Sequence, residues 1–418
     1  MRYRIEKDLL GQRQVPAEAY YGIETLRGKE NFEITKRGIC RQMIKALAIV
    51  KKAAAKANVD ALNIDEKVGK AIMLACDEIL NGRLHGQFVT DLIQGGAGTS
   101  MNMNANEVIA NRANELLGGK KGVYDFVHPN DHVNFGQSTN DVIQTAGKIA
   151  IVKQLKKLQV ELKKLYNAYL NKATEFKDVI KMGRTHLQEA LPLRLGQEFS
   201  AYASALNRDM KRIDVAIEAL LEVNMGATAI GTSLNANEKY RKKVIYYLNK
   251  FSGEQIKPAK DLIDATRNFD TFGQASSTLK LLALNLSKTA SDLRLMASSG
   301  SNGFSEITLP HVQPGSSIMP GKYNPVVPEM VNQVCFYVIG LDVTITKAIE
   351  AGQLELNVFG PIILMSLFEQ ITTLRRATRT FHNLAISGLI ANTTKYKTDN
   401  SIYLITALSP HLGHEEAC

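Results

Sequence analysis

Six apolar residues, Ile151, Leu155, Leu158, Leu162, Leu165 and Tyr169, follow one another at steps of four, three, four, three and four. That spacing is an a/d seam held for more than two heptads, and it predicts a continuous helix from about Thr145 to Phe176. At 1.5 Å per residue such a helix is roughly 45 Å long. One small domain cannot bury it, so a bundle that extends to helices of other subunits is its expected setting. Proline placement agrees, with none between Pro16 and Pro129, Pro129 and Pro192, Pro192 and Pro258, or Pro258 and Pro310. Segments 193–222, 263–299, 328–352 and 361–390 carry similar helical patterning, and Pro328 stands where a missing N–H costs nothing, in a first turn. Alternating strand patterns are scarce and no βαβ rhythm appears. The expected class is mainly α, with breaks in pattern near residues 140 and 390 separating 1–140, a central long-helix bundle domain at 141–390, and 391–418.

At 418 residues the chain can bury a large core, and 45% hydrophobic with 22% charged residues place it among soluble globular proteins. The opening MRYRIEKDLLGQRQVP lacks the apolar core of a signal peptide, and no stretch reads as a membrane span. Cys40, Cys76, Cys335 and Cys418 are scattered without a CxxC pair or metal-ligand spacing, which suits a reduced cytoplasmic protein. A net charge of +10 raises the question of nucleic acid. The basic residues Lys153, Lys156, Lys157, Lys163 and Lys164 alternate with apolar positions rather than aromatics, the mark of a solvated helix face. Neither nucleic acid nor membrane is an expected partner; the same charge favours small anionic substrates.

Four segments combine glycine with small polar residues: GGAGTSMNMNANE (95–107), HPNDHVNFGQSTND (128–141), KMGRTHLQEALP (181–192) and GSSIMPGKYNPVVPEM (315–330). Each lies at the end of, or between, apolar-periodic helices, so they can converge on one polar pocket. GGAGTS has neither the GxxxxGK[ST] nor the GxGxxG form, and reads instead as a helix N-terminus capped by Thr99 or Ser100, which is also an anion site. His128 and His132 stand four apart, but Pro129 and Asn130 make the segment a turn, so a structural role outweighs metal ligation. His186 beside Arg184 and Thr185 is open between a hydrogen-bonded buried group and a functional one. Ser316 and Ser317 lack a GxSxG elbow. Lys322 and Asn324, two residues apart, pair a cation with an amide donor suited to one carboxylate.

Taken together, GSSIMPGK-NP, HPNDHVN--QSTND, GTS-NMN-NEVIAN and KMGRTHLQ resemble the aspartase/fumarase superfamily of lyases over nearly the whole chain. IEKDLLGQRQVPAEAYYGIETLRGKENF, NMGATAIGTSLN, VVPEMVNQVCF and the QSTND form resemble its aspartase branch. The resemblance implies a three-domain fold around a central bundle of long helices, a homotetramer with each site assembled from three subunits, and reversible deamination of L-aspartate to fumarate through an enediolate. Fumarate hydration is the alternative, and a structural or binding member without activity is a third reading. Carried over by motif, Ser316 is the general base. Thr99, Ser138, Thr139 and Ser317 bind the β-carboxylate, while Lys322 and Asn324 hold the α-carboxylate. Asn140, Thr185 and His186 surround the amino group, with His186 and Lys322 joining Ser316 as catalytic groups and Lys181 a further candidate for charge stabilisation. No metal or organic cofactor is implied, although some relatives are activated by divalent cations. The chain departs from the family pattern at Gln144, where proline is usual, at Tyr323 in place of valine, and at Gly360 in place of glutamate. Tyr323 is expected to alter loop closure, and the stop at Cys418 reads as a truncated C-terminal domain.

Overall fold

The computed structural model describes residues 2–299 and 303–392, together with Pro410 and Gly413. Nearly all of the segment expected from 391 onward lies outside the described residues. In chain order the elements are the hairpin β1 (Tyr3–Asp8) and β2 (Gly11–Pro16), α1 (Ile23–Asn31), α2 (Arg41–Asp60), α3 (Glu66–Leu80), α4 (Thr99–Leu116) and α5 (Thr139–Glu175). A second hairpin, β3 (Ile180–Thr185) and β4 (Gln188–Arg194), leads into α6 (Leu195–Leu220). Then come α7 (Glu238–Ser252), α8 (Leu262–Arg267), α9 (Asp270–Met296), α10 (Val326–Glu350) and α11 (Gly360–Phe381). The class is mainly α, as the periodicity requires.

The predicted seam is fully realised. Ile151, Leu155, Leu158, Leu162, Leu165 and Tyr169 are all buried to within 1%. The helix that carries them has 37 residues, about 55 Å at 1.5 Å per residue, and starts six residues earlier than the seam alone predicts. A reciprocal cap accounts for the earlier start. The Ser138 hydroxyl oxygen accepts from the Asn140 N–H (3.2 Å) and the Asp141 carboxylate accepts from the Ser138 N–H (2.9 Å).

One compact unit comprises 1–156, 215–277 and 341–369. Here α2 packs between α3 and α7, and α4 packs on α1 and α3. The N-terminus of α1 has no side-chain cap of its own. The buried Glu107 carboxylate on α4 serves instead, accepting from the N–H groups of Gly22, Glu24 and Thr25 at 2.8–3.0 Å and from the Thr25 hydroxyl at 2.5 Å. A Cβ at position 22 would stand 2.7 Å from Glu107 Oε1, so this approach requires glycine.

The other unit comprises 157–214, 278–340 and 370–418. Within it, the long-helix segments are cross-tied by polar contacts. Tyr202 on α6 donates to Asp292 on α9 (3.1 Å), Asn332 on α10 to the Ser287 carbonyl (3.0 Å), and Gln370 on α11 to the Val338 carbonyl (3.0 Å).

Three expectations change. The span 263–299 is two helices, because Asn268 after α8 turns extended (ψ 137°) before α9 restarts. The helix expected at 361–390 ends as α11 at Phe381 and continues only as a π-turn over His382–Ile386. Also, α10 is long and apolar enough by length and composition to cross a membrane, contrary to the reading that no stretch is. Its Asn332 is tied to α9, and its buried Asp342 accepts from the Ser276 hydroxyl (2.7 Å), which makes it a packed helix of this protein.

The seam should dominate stability. Leu162→Ala should lower the unfolding free energy by about 2–5 kcal/mol, read from the urea midpoint, as expected for a fully buried leucine truncated in a dense core.

Candidate active site

In the first unit, α4 and α5 begin side by side. Gly98, in the left-handed region (φ 96°), precedes α4, and a Cβ there would meet Ile143 of α5 at 3.2 Å. Thr99 starts α4 but does not cap it, nor does Ser100; the Thr99 hydroxyl donates to the Gly96 carbonyl (2.7 Å). One turn on, Asn102 Nδ2 donates to Thr139 Oγ1 (3.3 Å) and to Asn134 Oδ1 (3.2 Å), linking the GTS and QSTND segments. Asn140 Nδ2 donates to the Ala229 carbonyl (2.6 Å), and its own carbonyl accepts from Asn224 (3.2 Å). Thr99, Ser138, Thr139 and Asn140 thus belong to one constellation at two adjacent helix N-termini, where free N–H groups and the helix dipole favour an anion.

Asp141 holds that constellation together. It is fully buried and accepts from Gly226 N–H (3.0 Å) and Thr228 N–H (3.1 Å) as well as Ser138 N–H. Burial pushes its carboxyl up to about 6, against the pull of those three donors and of Lys51. Lys51 is itself buried, donates to Asn134 (2.7 Å) and Gln137 (3.0 Å), and burial lowers it to about 7. The rings of His128 and His132 bond within their own turn: the His132 ring accepts from the His128 N–H (2.8 Å), and the His128 ring accepts from Asn130 and Asp131 N–H.

In the second unit, β3–β4 is a two-residue hairpin, pairing Thr185 with Gln188 across His186 and Leu187, both left-handed (φ 55° and 61°). Thr185 and His186 are exposed at this tip. Lys181, at the strand's other end, is buried and faces inward, 2.7 Å from carboxylate oxygens of both Glu198 and Glu306. The 315–324 loop is closed on itself. The Gly315 N–H donates to the Lys322 carbonyl (2.8 Å) and Asn324 Nδ2 to the Gly315 carbonyl (2.9 Å). Ser316 Oγ accepts from the N–H groups of Ile318 (3.2 Å) and Met319 (3.1 Å). Ser317 and Lys322 are exposed. Tyr323 stacks on His311 with ring centroids 3.7 Å apart, beside a cavity of about 370 Å³ that Thr308 and Asn392 also line.

Residues 11–340 match the profile of a lyase family. The chain belongs to it, the aspartase/fumarase family. It is 54% identical to an aspartate ammonia-lyase of Bacillus subtilis, over 99% of this chain and 88% of that protein. It is 48% identical to an aspartate ammonia-lyase of Escherichia coli, over 98% of this chain and 87% of that one. Among solved structures, a Brucella melitensis fumarate lyase:delta crystallin bound to cobalt superposes with a TM-score of 0.97 at 47% identity, over 100% of this chain and 91% of the other. A class II fumarase from Schistosoma mansoni gives 0.97 at 35% identity, again over 100% and 91%. Reading the sequence missed Asp141, although it lies inside QSTND, and missed Glu198 and Glu306. An acidic residue in a motif that otherwise offers only hydroxyls and amides was the available signal for Asp141.

Asp141 keeps its proton to a higher pH when folded than its ordinary value near 3.8. Between about pH 4 and 6 the folded chain therefore binds more protons than the unfolded chain, and this group's contribution to stability falls as pH rises. Asp141→Ala should remove that slope from urea midpoints measured across the window, and should cost about 3 kcal/mol or more at every pH by orphaning buried N–H donors.

Proposed function

We propose that this chain catalyses the reversible deamination of L-aspartate to fumarate and ammonia. The observation that carries the reading is the identity of 54% and 48% to two aspartate ammonia-lyases over 99% and 98% of this chain. The Ser316 contacts supply a physical reason for the chemistry. A serine is a poor base unless its alkoxide is stabilised. Two N–H donors already point at this oxygen, and hydrogen bonds to the charged form favour that form.

In this reading Ser316 Oγ, as the alkoxide, takes the Cβ proton and becomes the hydroxyl. The C–H electron pair moves into the β-carboxylate, which becomes a doubly charged enediolate. Thr99, Ser138, Thr139 and Ser317 hydroxyls and the two helix N-termini meet that added charge, so they stabilise the intermediate more than the substrate. When the enediolate collapses, the Cα=Cβ bond forms and the Cα–N bond breaks with its electrons on nitrogen, releasing ammonia. Lys322 and Asn324 hold the α-carboxylate, while Asn140, Thr185 and His186 surround the amino group. Lys181 supports the hairpin from within, through Glu198 and Glu306.

The assembly we infer is a homotetramer with shared sites. Its support is the apolar surface left on α10, where Phe336 is 63% and Val343 59% exposed, and on α5, where Val160 is 55% exposed. Large apolar side chains left exposed on long helices are surface that a partner subunit would bury. Free thiols at Cys40, Cys76 and Cys335 suit a reducing, cytoplasmic setting.

Fumarate absorbance should rise with L-aspartate and stay flat with L-malate. Robust turnover of malate alone would replace this reading with fumarate hydration. Ser316→Ala should lower kcat by roughly 100-fold or more; a kcat near the parent value would remove Ser316 from the role of base.

A further inference from the structure

Glu306 stands nine residues before Gly315, at the root of the segment that becomes the Ser316 loop. It is almost wholly buried. Its main chain is fixed on both sides, its N–H donating to the Met296 carbonyl (2.8 Å) and its carbonyl accepting from the Asn392 N–H (2.9 Å). The carboxylate faces β3, with Oε1 against Arg184 Nη1 and Oε2 2.7 Å from Lys181 Nζ. Lys181 also donates to Glu198 (2.7 Å), and the Arg184 guanidinium lies 4.2 Å from the Phe304 ring centre. Two cations of one strand are thereby balanced by two carboxylates from elsewhere in the unit.

Such a cluster contributes little net stability, because desolvation offsets the attraction, yet removing one member leaves its partner charged and buried. What it fixes is spacing. Arg184 directly precedes Thr185 and His186, whose side chains make no hydrogen bond among the described residues, so the strand beneath them has to hold them in place. We propose that Glu306 is a positioning residue for the deamination put forward above, on which this inference rests. Its carboxylate holds the hairpin that presents Thr185 and His186 and the root of the loop that presents Ser316, Lys322 and Asn324 at one fixed separation. Any site that uses either segment inherits that geometry. A shift of about 1 Å in a reacting group costs on the order of 100-fold in rate.

The test compares the full-length parent with Glu306→Gln, Lys181→Met and the double variant. Glu306→Gln should lower kcat for L-aspartate by roughly 10- to 100-fold with KM within about threefold, in a protein of unchanged oligomeric state. The double variant should cost no more than the worse single one, because both cut one link. Amide hydrogen exchange reads the same link without turnover, and should quicken in 180–188 and in 307–324 together while α2 is unchanged. Parent-like kcat, additive losses, or unchanged exchange in both segments would each overturn the proposal. If Glu306→Gln does not fold, Arg184→Lys, which keeps the charge and loses the planar fork, should show the same kcat-selective loss; failure of both to fold would make the cluster structural only. A parent chain inert toward L-aspartate would defeat the deamination reading, and the exchange measurement would still decide whether Glu306 sets the spacing.

Discussion

A helix of 37 residues with one continuous apolar seam needs partners along its whole length, and that requirement organises the structure. All six seam residues are buried, so α5 behaves as a rod that neighbouring helices must accommodate. Its first turn is also where Ser138, Thr139 and Asn140 sit. Packing and chemistry are therefore continuous along one element: the core fixes the axis of α5, and the axis fixes where its N-terminal donors point.

Away from the helices, order comes from buried acceptors. Glu107 gathers the start of α1, Asp141 gathers the turn at 226–228, and Glu306 gathers two cations of β3. Glu107 and Asp141 satisfy backbone N–H groups at a helix start and in a turn, and Glu306 joins the strand that carries Lys181 and Arg184 to the segment that leads into the Ser316 loop. A fully satisfied buried network specifies one arrangement of the polar breaks, where apolar contacts alone would tolerate several.

The parts legible in the sequence were those with a period. The α5 seam, the proline-free intervals and the helical segments near 193–222 and 328–352 all rest on local spacing, and helices stand at each. Capping was less legible. Ser138 and Asp141 begin α5 before its apolar repeat does, and Gly98 ends the GGAGTS turn in a left-handed conformation that leaves Thr99 without a capping role. The β3–β4 hairpin was invisible because its strands do not alternate cleanly and its turn is His-Leu instead of Asn-Gly. The partner of Arg184 lies 122 residues away, a distance over which no pattern in one chain can speak.

The left-handed conformation of His186 also bears on how its chemistry can be studied. A residue at φ 55° contributes through its backbone as well as its ring, and most replacements alter both. A β-branched substitute would distort the turn and displace Thr185 with it, whereas asparagine tolerates this region and can isolate the loss of the imidazole. Alanine, the customary choice in a scan, would report a sum of two effects. At this one position, the informative substitution is the one that leaves the shape of the turn alone.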